Sequence, residues 1–330
     1  MVVKSLAGHA CSGGSVPFLR HRFILVGFAF ILLLWPDGHH AGVAKSSPPV
    51  DFRLIYQAAR LATHAYDKKT DILARYGAKA ARVNTPGKTN VQYVLLQDHQ
   101  RRTQFIAVRG TVDGINWSLG KDRRIVRDDR SGVLLHRGFR RAADAIYQDI
   151  KAHLDPQYTT YLTGHSLGGA VAAIVGIYLW DDAYRLGGIY TFGQPKFTNL
   201  QGARIYRELP LVRVVYQNDT VPLLPDRTRG KRQNFVHIGA VINLLSGPYY
   251  LYGTADQATK FSKRSLRKML FQISLPDHKM KWYLQSLRDK LDGAQPVRFN
   301  DRNKHITRHK YGTGVDTAPV KRSYNFNHHP

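Results

Sequence analysis

Tyr161-Leu162-Thr163-Gly164-His165-Ser166-Leu167-Gly168-Gly169-Ala170 is the stretch on which the reading of this chain turns. Tyr158 to Leu162 before it reads as a short strand, and Leu167 to Trp180 after it reads as an apolar helix. Between them stands Gly-x-Ser-x-Gly. A serine on so sharp a strand-to-helix turn has strained backbone angles, and side chains two residues to either side would collide. Gly164 and Gly168, with His165 between strand and serine, therefore form a nucleophile elbow. The turn lifts the Ser166 hydroxyl above the sheet and sets it at a helix N-terminus, where amides and the helix dipole favour negative charge. A bare Gly-x-Ser-x-Gly is explained as well by a glycine-rich packing turn. The strand-GxSxGG-helix context favours the nucleophile.

Working outward, the neighbours alternate between strand and helix. Asp51 is a candidate N-cap for an amphipathic helix over 52–66, with Phe52, Ile55, Tyr56, Ala59, Ala62 and Tyr66 at helical spacing. Residues 84–90 make a turn around Pro86-Gly87. Val91 to Gln97 and Gln104 to Arg109 read as two strands of a hairpin, and residues 110–137 as a loop. Gly138 to Leu154 has helical periodicity. Gly188 to Phe192 is a strand, Asn199 to Arg207 a short helix, and Val212 to Tyr216 a strand. This alternation predicts an α/β fold: a mostly parallel central sheet with helices on both faces.

A serine nucleophile needs a base and a group to orient it, in the chain order Ser, Asp, His for this motif. Asp219 ends the strand Val212 to Tyr216 and precedes Thr220-Val221-Pro222, a turn that would fix it. Its rival, Asp226, lies past Pro225 among arginines and reads as a solvated carboxylate. His237 and His278 are the candidates for the base. His237 sits in a short β-like run, Asn234 to Ile238, as a core histidine would. His278 follows Pro276-Asp277 in a loop before the helical run Met280 to Leu287, the place from which a base can reach Ser166. His165 and His136 precede the aspartate, so the chain order argues against both. For the oxyanion, one donor is the backbone N–H of Leu167. The natural second is the N–H of Thr111, which follows the strand ending Arg109-Gly110.

Together these pieces resemble the class 3, or fungal-type, lipases of the α/β-hydrolase superfamily. The matching segments run in family order over roughly 90–285: Phe105 to Thr111, Asn116-Trp117, His136 to Phe139, Thr163 to Ala170, Thr191-Phe192-Gly193-Gln194-Pro195-Lys196, Arg213 to Pro222, Phe235 to Gly239 and Asp277-His278. The resemblance implies an α/β-hydrolase fold, with Ser166, Asp219 and His278 as the triad. It implies Thr111 and Leu167 as the oxyanion hole and His237 as a neighbour of the triad. The family's lid follows Arg-Gly-Thr and is typically an apolar amphipathic helix; here Gly114 to Arg130 is charged and only briefly apolar.

The chain has 330 residues, is 43% hydrophobic and carries a formal net charge of +26. Its mean hydropathy of −0.35 argues against a polytopic membrane protein. So basic a chain favours anionic surfaces, but no nucleic-acid-binding module accompanies the charge, and no specific nucleic acid is expected. The single cysteine, Cys11, excludes a disulfide within one chain and a cysteine-based metal site. No metal or cofactor is required. Lys4, Arg20 and Arg22 precede an apolar run from Phe23 to Trp35 and the small residues Ala41 to Ala44, which reads as a signal peptide over 1–44 and export from the cytoplasm. The alternative is a membrane anchor through 23–35. Residues 45–298 would then be the hydrolase domain, and 299–330 a basic tail, poorly ordered or wrapped on the surface. Residues 241–253 form an apolar, aromatic patch. Lys260 to Ile273 reads as a basic amphipathic helix, packed on the sheet or laid on an anionic membrane. The expected activity is carboxylic ester hydrolysis on lipid or ester substrates through an acyl-enzyme. The alternatives are a phospholipase on anionic membranes and a non-catalytic lipid- or polyanion-binding protein on the same scaffold. Protein partners are unknown from sequence.

Overall fold

The computed structural model describes residues 50–77, 81–110, 124–217, 219–225, 235–254, 257 and 276–306. Outside them lie several of the expectations above: the segment 1–44, Thr111, most of Gly114 to Arg130, Asp226, the helix over 260–273 and the tail beyond 306.

Helix α1 (Phe52–His64) starts where its cap predicts, with the Leu54 amide donating to the Asp51 carboxylate at 3.0 Å. It turns Phe52, Ile55, Ala58, Ala59 and Ala62 inward. A second helix, α2 (Lys69–Tyr76), and an edge strand, β1 (Ala81–Asn84), follow; neither has strong periodicity in the sequence. The expected hairpin is β2 (Tyr93–Asp98) with β3 (Thr103–Val108). The stretch 110–137, read as a loop, contains a small hairpin instead. Strands β4 (Ile125–Arg127) and β5 (Leu134–His136) close around buried Asp128, which takes bonds from Ser131, Arg140 and Tyr178. Its strands are only three residues long, too short for a period-two signal.

Helix α3 (Arg137–Ile150), strand β6 (Thr159–His165), helix α4 (Leu167–Asp181), strand β7 (Leu186–Phe192), helix α5 (Leu200–Ile205) and strand β8 (Leu211–Tyr216) come in the predicted order. The apolar, aromatic stretch 241–253 resolves into two more strands, β9 (Ala240–Leu244) and β10 (Tyr249–Gly253), paired antiparallel. The β-like run before it keeps only an isolated bridge, Val236 to Thr198. After a 3-10 turn at Pro276–His278 come helix α6 (Met280–Arg288), a two-residue strand β11 (Gln295–Pro296) and a 3-10 stretch, Phe299–His305. That last stretch packs on β10: the His305 ring lies tilted against Tyr249 with centroids 3.9 Å apart, and the His305 carbonyl accepts from the Ser246 amide.

Nine of the described strands form one sheet in the order β1-β2-β3-β6-β7-β8-β9-β10-β11, and β4 and β5 form a separate two-stranded one. Pairing from β3 through β9 is parallel, and β1-β2, β2-β3 and β9-β10 are antiparallel. Helices cover both faces. On one, α3 and α4 pack with Ile106, Leu162 and Ile189 of the sheet. On the other, α1 and α6 cover Phe192, Val214, Ile242 and Leu244. Helix α4 is buried from Leu167 to Leu179, which explains why it is apolar all round rather than along one stripe. The parallel strands β6, β7 and β8 all point their C-terminal ends one way, and at that edge β6 delivers Ser166, β7 leads into Gly193 and β8 leads into Asp219.

Candidate active site

Ser166 sits between β6 and α4 with φ 57° and ψ −132°, a conformation that L-residues rarely adopt. The turn is held because nothing larger than hydrogen fits around it. A Cβ on Gly164 would stand 2.4 Å from the Gly168 carbonyl oxygen, and one on Gly168 would stand 2.3 Å from the Val108 carbonyl oxygen. The Ser166 amide donates to the Phe192 carbonyl at 2.9 Å. The Leu167 amide stands in the first turn of α4, among the N–H groups that have no partner within the helix.

Asp219 follows β8 and is 4% exposed. Its Oδ1 accepts from the Val221 amide at 2.9 Å, which closes the turn expected from Thr220-Val221-Pro222. Its Oδ2 accepts from His278 Nδ1 at 2.8 Å and from the Tyr283 hydroxyl at 2.5 Å. Burial pushes this carboxyl upward. The nearby His278 and the bonds from His278, Tyr283 and Val221 outweigh it and hold the group below the usual carboxylate range. The carboxylate requires His278 to carry its proton on Nδ1. His278 Nε2 therefore presents a lone pair, and it is buried with no hydrogen-bond partner among the described residues.

The structure thus brings Asp219 and His278 into contact and sets both at the same sheet edge as Ser166. The other candidates go elsewhere. His237 Nε2 donates to the Pro222 carbonyl at 2.7 Å, so it pins the turn after Asp219 from outside. Burial first, then the cationic Arg213 and Lys196, push its pKa well down. His136 is buried and stacks on Phe139 at 4.0 Å. His165 lies beside His278, with ring centroids 4.5 Å apart. Its Nε2 bonds the His278 carbonyl at 2.8 Å and its Nδ1 the Tyr66 hydroxyl at 2.9 Å.

Two contributors escaped the sequence reading. Tyr283 falls on a helical apolar face, where an aromatic reads as core, and nothing in the local pattern marks its hydroxyl. Gly193 has φ +58°, and a Cβ there would stand 2.7 Å from Asp219 Oδ2 and from His278 Cε1. Its only sequence signal is its place in Thr191-Phe192-Gly193-Gln194-Pro195. Among the described residues, no group of three or more histidine, cysteine or carboxylate side chains could hold a metal ion. No described helix is long and apolar enough to cross a membrane.

The arrangement sets a serine on a strained turn, a buried carboxylate and a histidine oriented by that carboxylate at one sheet edge, with the histidine's other ring nitrogen left bare. Residues 105–228 match the family model for lipase (class 3). The secreted mono- and diacylglycerol lipase 1 of Fusarium solani is 31% identical over 157 residues, 44% of this chain and 46% of that protein. The lipase of Rhizopus niveus is 29% identical over 175 residues, 47% of this chain and 42% of its own length. This chain therefore spans a little under half the length of these relatives. A phospholipase A1 of Arabidopsis thaliana, PLIP2, is 27% identical over 146 residues, 39% of this chain and 20% of that protein. Among solved structures, the triacylglyceride lipase of Rhizomucor miehei shares the fold with a TM-score of 0.54 at 20% identity, covering 68% of this chain and 91% of that one. The Lip2 lipase of Yarrowia lipolytica does so with a TM-score of 0.54 at 19% identity, covering 69% and 91%. Residues 105–228 are thus similar to the class 3 lipases, and the chain has the α/β-hydrolase fold seen in those solved lipases.

Proposed function

We propose that this protein is a carboxylic ester hydrolase acting on lipids through a Ser166–His278–Asp219 triad. The observation that carries the reading is the pairing of His278 Nδ1 with Asp219 while Nε2 stays bare, at the sheet edge where the strained turn presents Ser166. His278 Nε2 takes the Ser166 proton as Oγ bonds the ester carbonyl carbon, and the carbonyl oxygen becomes an oxyanion. The Leu167 and Thr111 amides donate to that oxygen. The carbon–oxygen bond to the alcohol then breaks, and the alcohol leaves with the proton from His278. Water attacks the acyl-enzyme, gives its proton to His278, and the acid departs as Ser166 regains that proton. Asp219 stays ionised throughout, fixing the imidazole tautomer and stabilising its charged form.

Turnover of a p-nitrophenyl ester series of increasing acyl length by the full chain tests this. The expected result is hydrolysis that collapses in Ser166→Ala, Asp219→Asn and His278→Ala. Absence of turnover on every ester by folded protein would overturn it. A second reading, a phospholipase on anionic membranes, is favoured by the net charge of +26 and by the similarity to the plant protein named a phospholipase A1. Comparison of rates on anionic and neutral phospholipid vesicles separates the two. The relative named as secreted and the 1–44 segment support export; the finer assignment to a cleaved signal peptide rests on that segment alone.

A further inference from the structure

The reaction just described gives His165 and Tyr66 no task, yet both are inside the site. His165 is 7% exposed and Tyr66 comes from the turn that follows α1, far away in sequence. The partners settle every proton between them. His165 Nε2 faces the His278 carbonyl, which only accepts, so Nε2 carries hydrogen. Burial first, and the neighbouring His278 second, push the His165 pKa down to about 3, so the ring is neutral and Nδ1 is an acceptor. The Tyr66 hydroxyl therefore donates to Nδ1. The same hydroxyl oxygen accepts the Gly110 amide, and a Cβ on Gly110 would stand 2.2 Å from it. Gly110 immediately precedes Thr111.

One uninterrupted chain of hydrogen bonds results: Gly110 N–H to Tyr66, Tyr66 O–H to His165, His165 N–H to the His278 carbonyl, and His278 N–H to Asp219. We infer that His165 and Tyr66 are positioning residues, which lock the backbone of the base and the start of the oxyanion loop to one another across the nucleophile elbow. The inference deepens the ester-hydrolase reading of Ser166 and rests on it. Its physical need is plain. His278 stands on a three-residue 3-10 turn, and that turn has no other side-chain bond to its His278 carbonyl among the described residues. A base on so short a turn drifts unless its backbone is tied. A displacement of about 1 Å at a reacting group can cost on the order of a hundredfold in rate. A neutral ring is the right tie, because a second positive charge 4.5 Å from His278 would oppose the imidazolium that forms in the reaction.

The test uses the full chain and its Tyr66→Phe, His165→Gln and His165→Leu variants. It follows kcat and KM on a p-nitrophenyl ester, the melting temperature, and the low-field proton NMR signal of the His278 Nδ1–H. For Tyr66→Phe, kcat is expected to fall about tenfold with KM unchanged, and the low-field signal to shift or broaden. His165→Leu should lose more, and His165→Gln, whose amide can still donate to the His278 carbonyl, should recover part of that loss. Wild-type kcat in Tyr66→Phe with an unmoved signal would overturn the inference. So would losses that track the melting temperature alone. If His165→Leu does not fold, Tyr66→Phe decides. A wild-type chain that turns over no ester would sink the hydrolase reading instead, while the NMR signal would still report whether the tie holds the base.

Discussion

Ser166 is held by its immediate neighbours in the chain: β6 in front, α4 behind, and Gly164 and Gly168 pressed against backbone oxygens. His278 and Asp219 are held by residues from widely separated segments. Tyr283 comes from α6, Val221 from the turn after β8, Gly193 from the end of β7, and Tyr66 and His165 meet from positions 99 residues apart. The elbow is a steric device and the other half a hydrogen-bonded one. Steric crowding demands glycine at fixed offsets, so it leaves a motif. Hydrogen bonds between distant segments demand only that one polar atom arrive at the right place, so they leave none.

The contrast can be broken most severely at Ser166. Ser166→Ala should lower kcat on an ester by about a millionfold while the melting temperature holds or rises, since the strained turn is kept and only a hydroxyl is lost. Asp219→Asn should cost about ten-thousandfold in kcat, because an amide beside Nδ1 permits the wrong imidazole tautomer. Gly193→Ala tests whether the hydrogen-bonded half tolerates crowding. A methyl 2.7 Å from both Asp219 and His278 should push them apart and cost about a hundredfold in kcat, with KM little changed.

Tyr283→Phe should have the smallest effect at neutral pH, removing one charge-assisted bond worth about 1.5–3 kcal/mol. Its signature lies in pH. The Asp219 carboxyl is held below its ordinary range, so its contribution to stability is present above that range and is lost as pH falls through the folded value. Removal of the tyrosine hydroxyl raises the folded value. The acid-side fall in melting temperature and in kcat should begin at a higher pH in the variant than in the wild type; superimposable acid limbs would contradict this account of Asp219.

Much of the sheet was legible. The alternation from β3 to β8 is carried by apolar runs long enough to show their period, and Ser166, Asp219 and His278 followed from motif context, chain order and family resemblance. The short elements were not legible. Strands β4 and β5 have three residues each, and the aliphatic β9 runs so closely into the tyrosine-rich β10 that the two read as one apolar patch rather than as two strands. His165 illustrates the limit at the site. Chain order argued against it as the base, but no local pattern could say that its two nitrogens would join Tyr66 to the backbone of His278. Tyr66 was counted as apolar spacing in a helix and Tyr283 passed unmarked within the helical run Met280 to Leu287, since periodicity reads the ring and ignores the hydroxyl.

The central claim is that Ser166 is a nucleophile activated by His278, and covalent trapping tests it most directly. The full chain treated with an alkyl fluorophosphonate should gain one adduct by mass, located by peptide mapping on Ser166. The adduct should be absent in Ser166→Ala and form far more slowly in His278→Ala. Folded wild-type protein that gains no adduct, or gains one on another residue, would contradict the account.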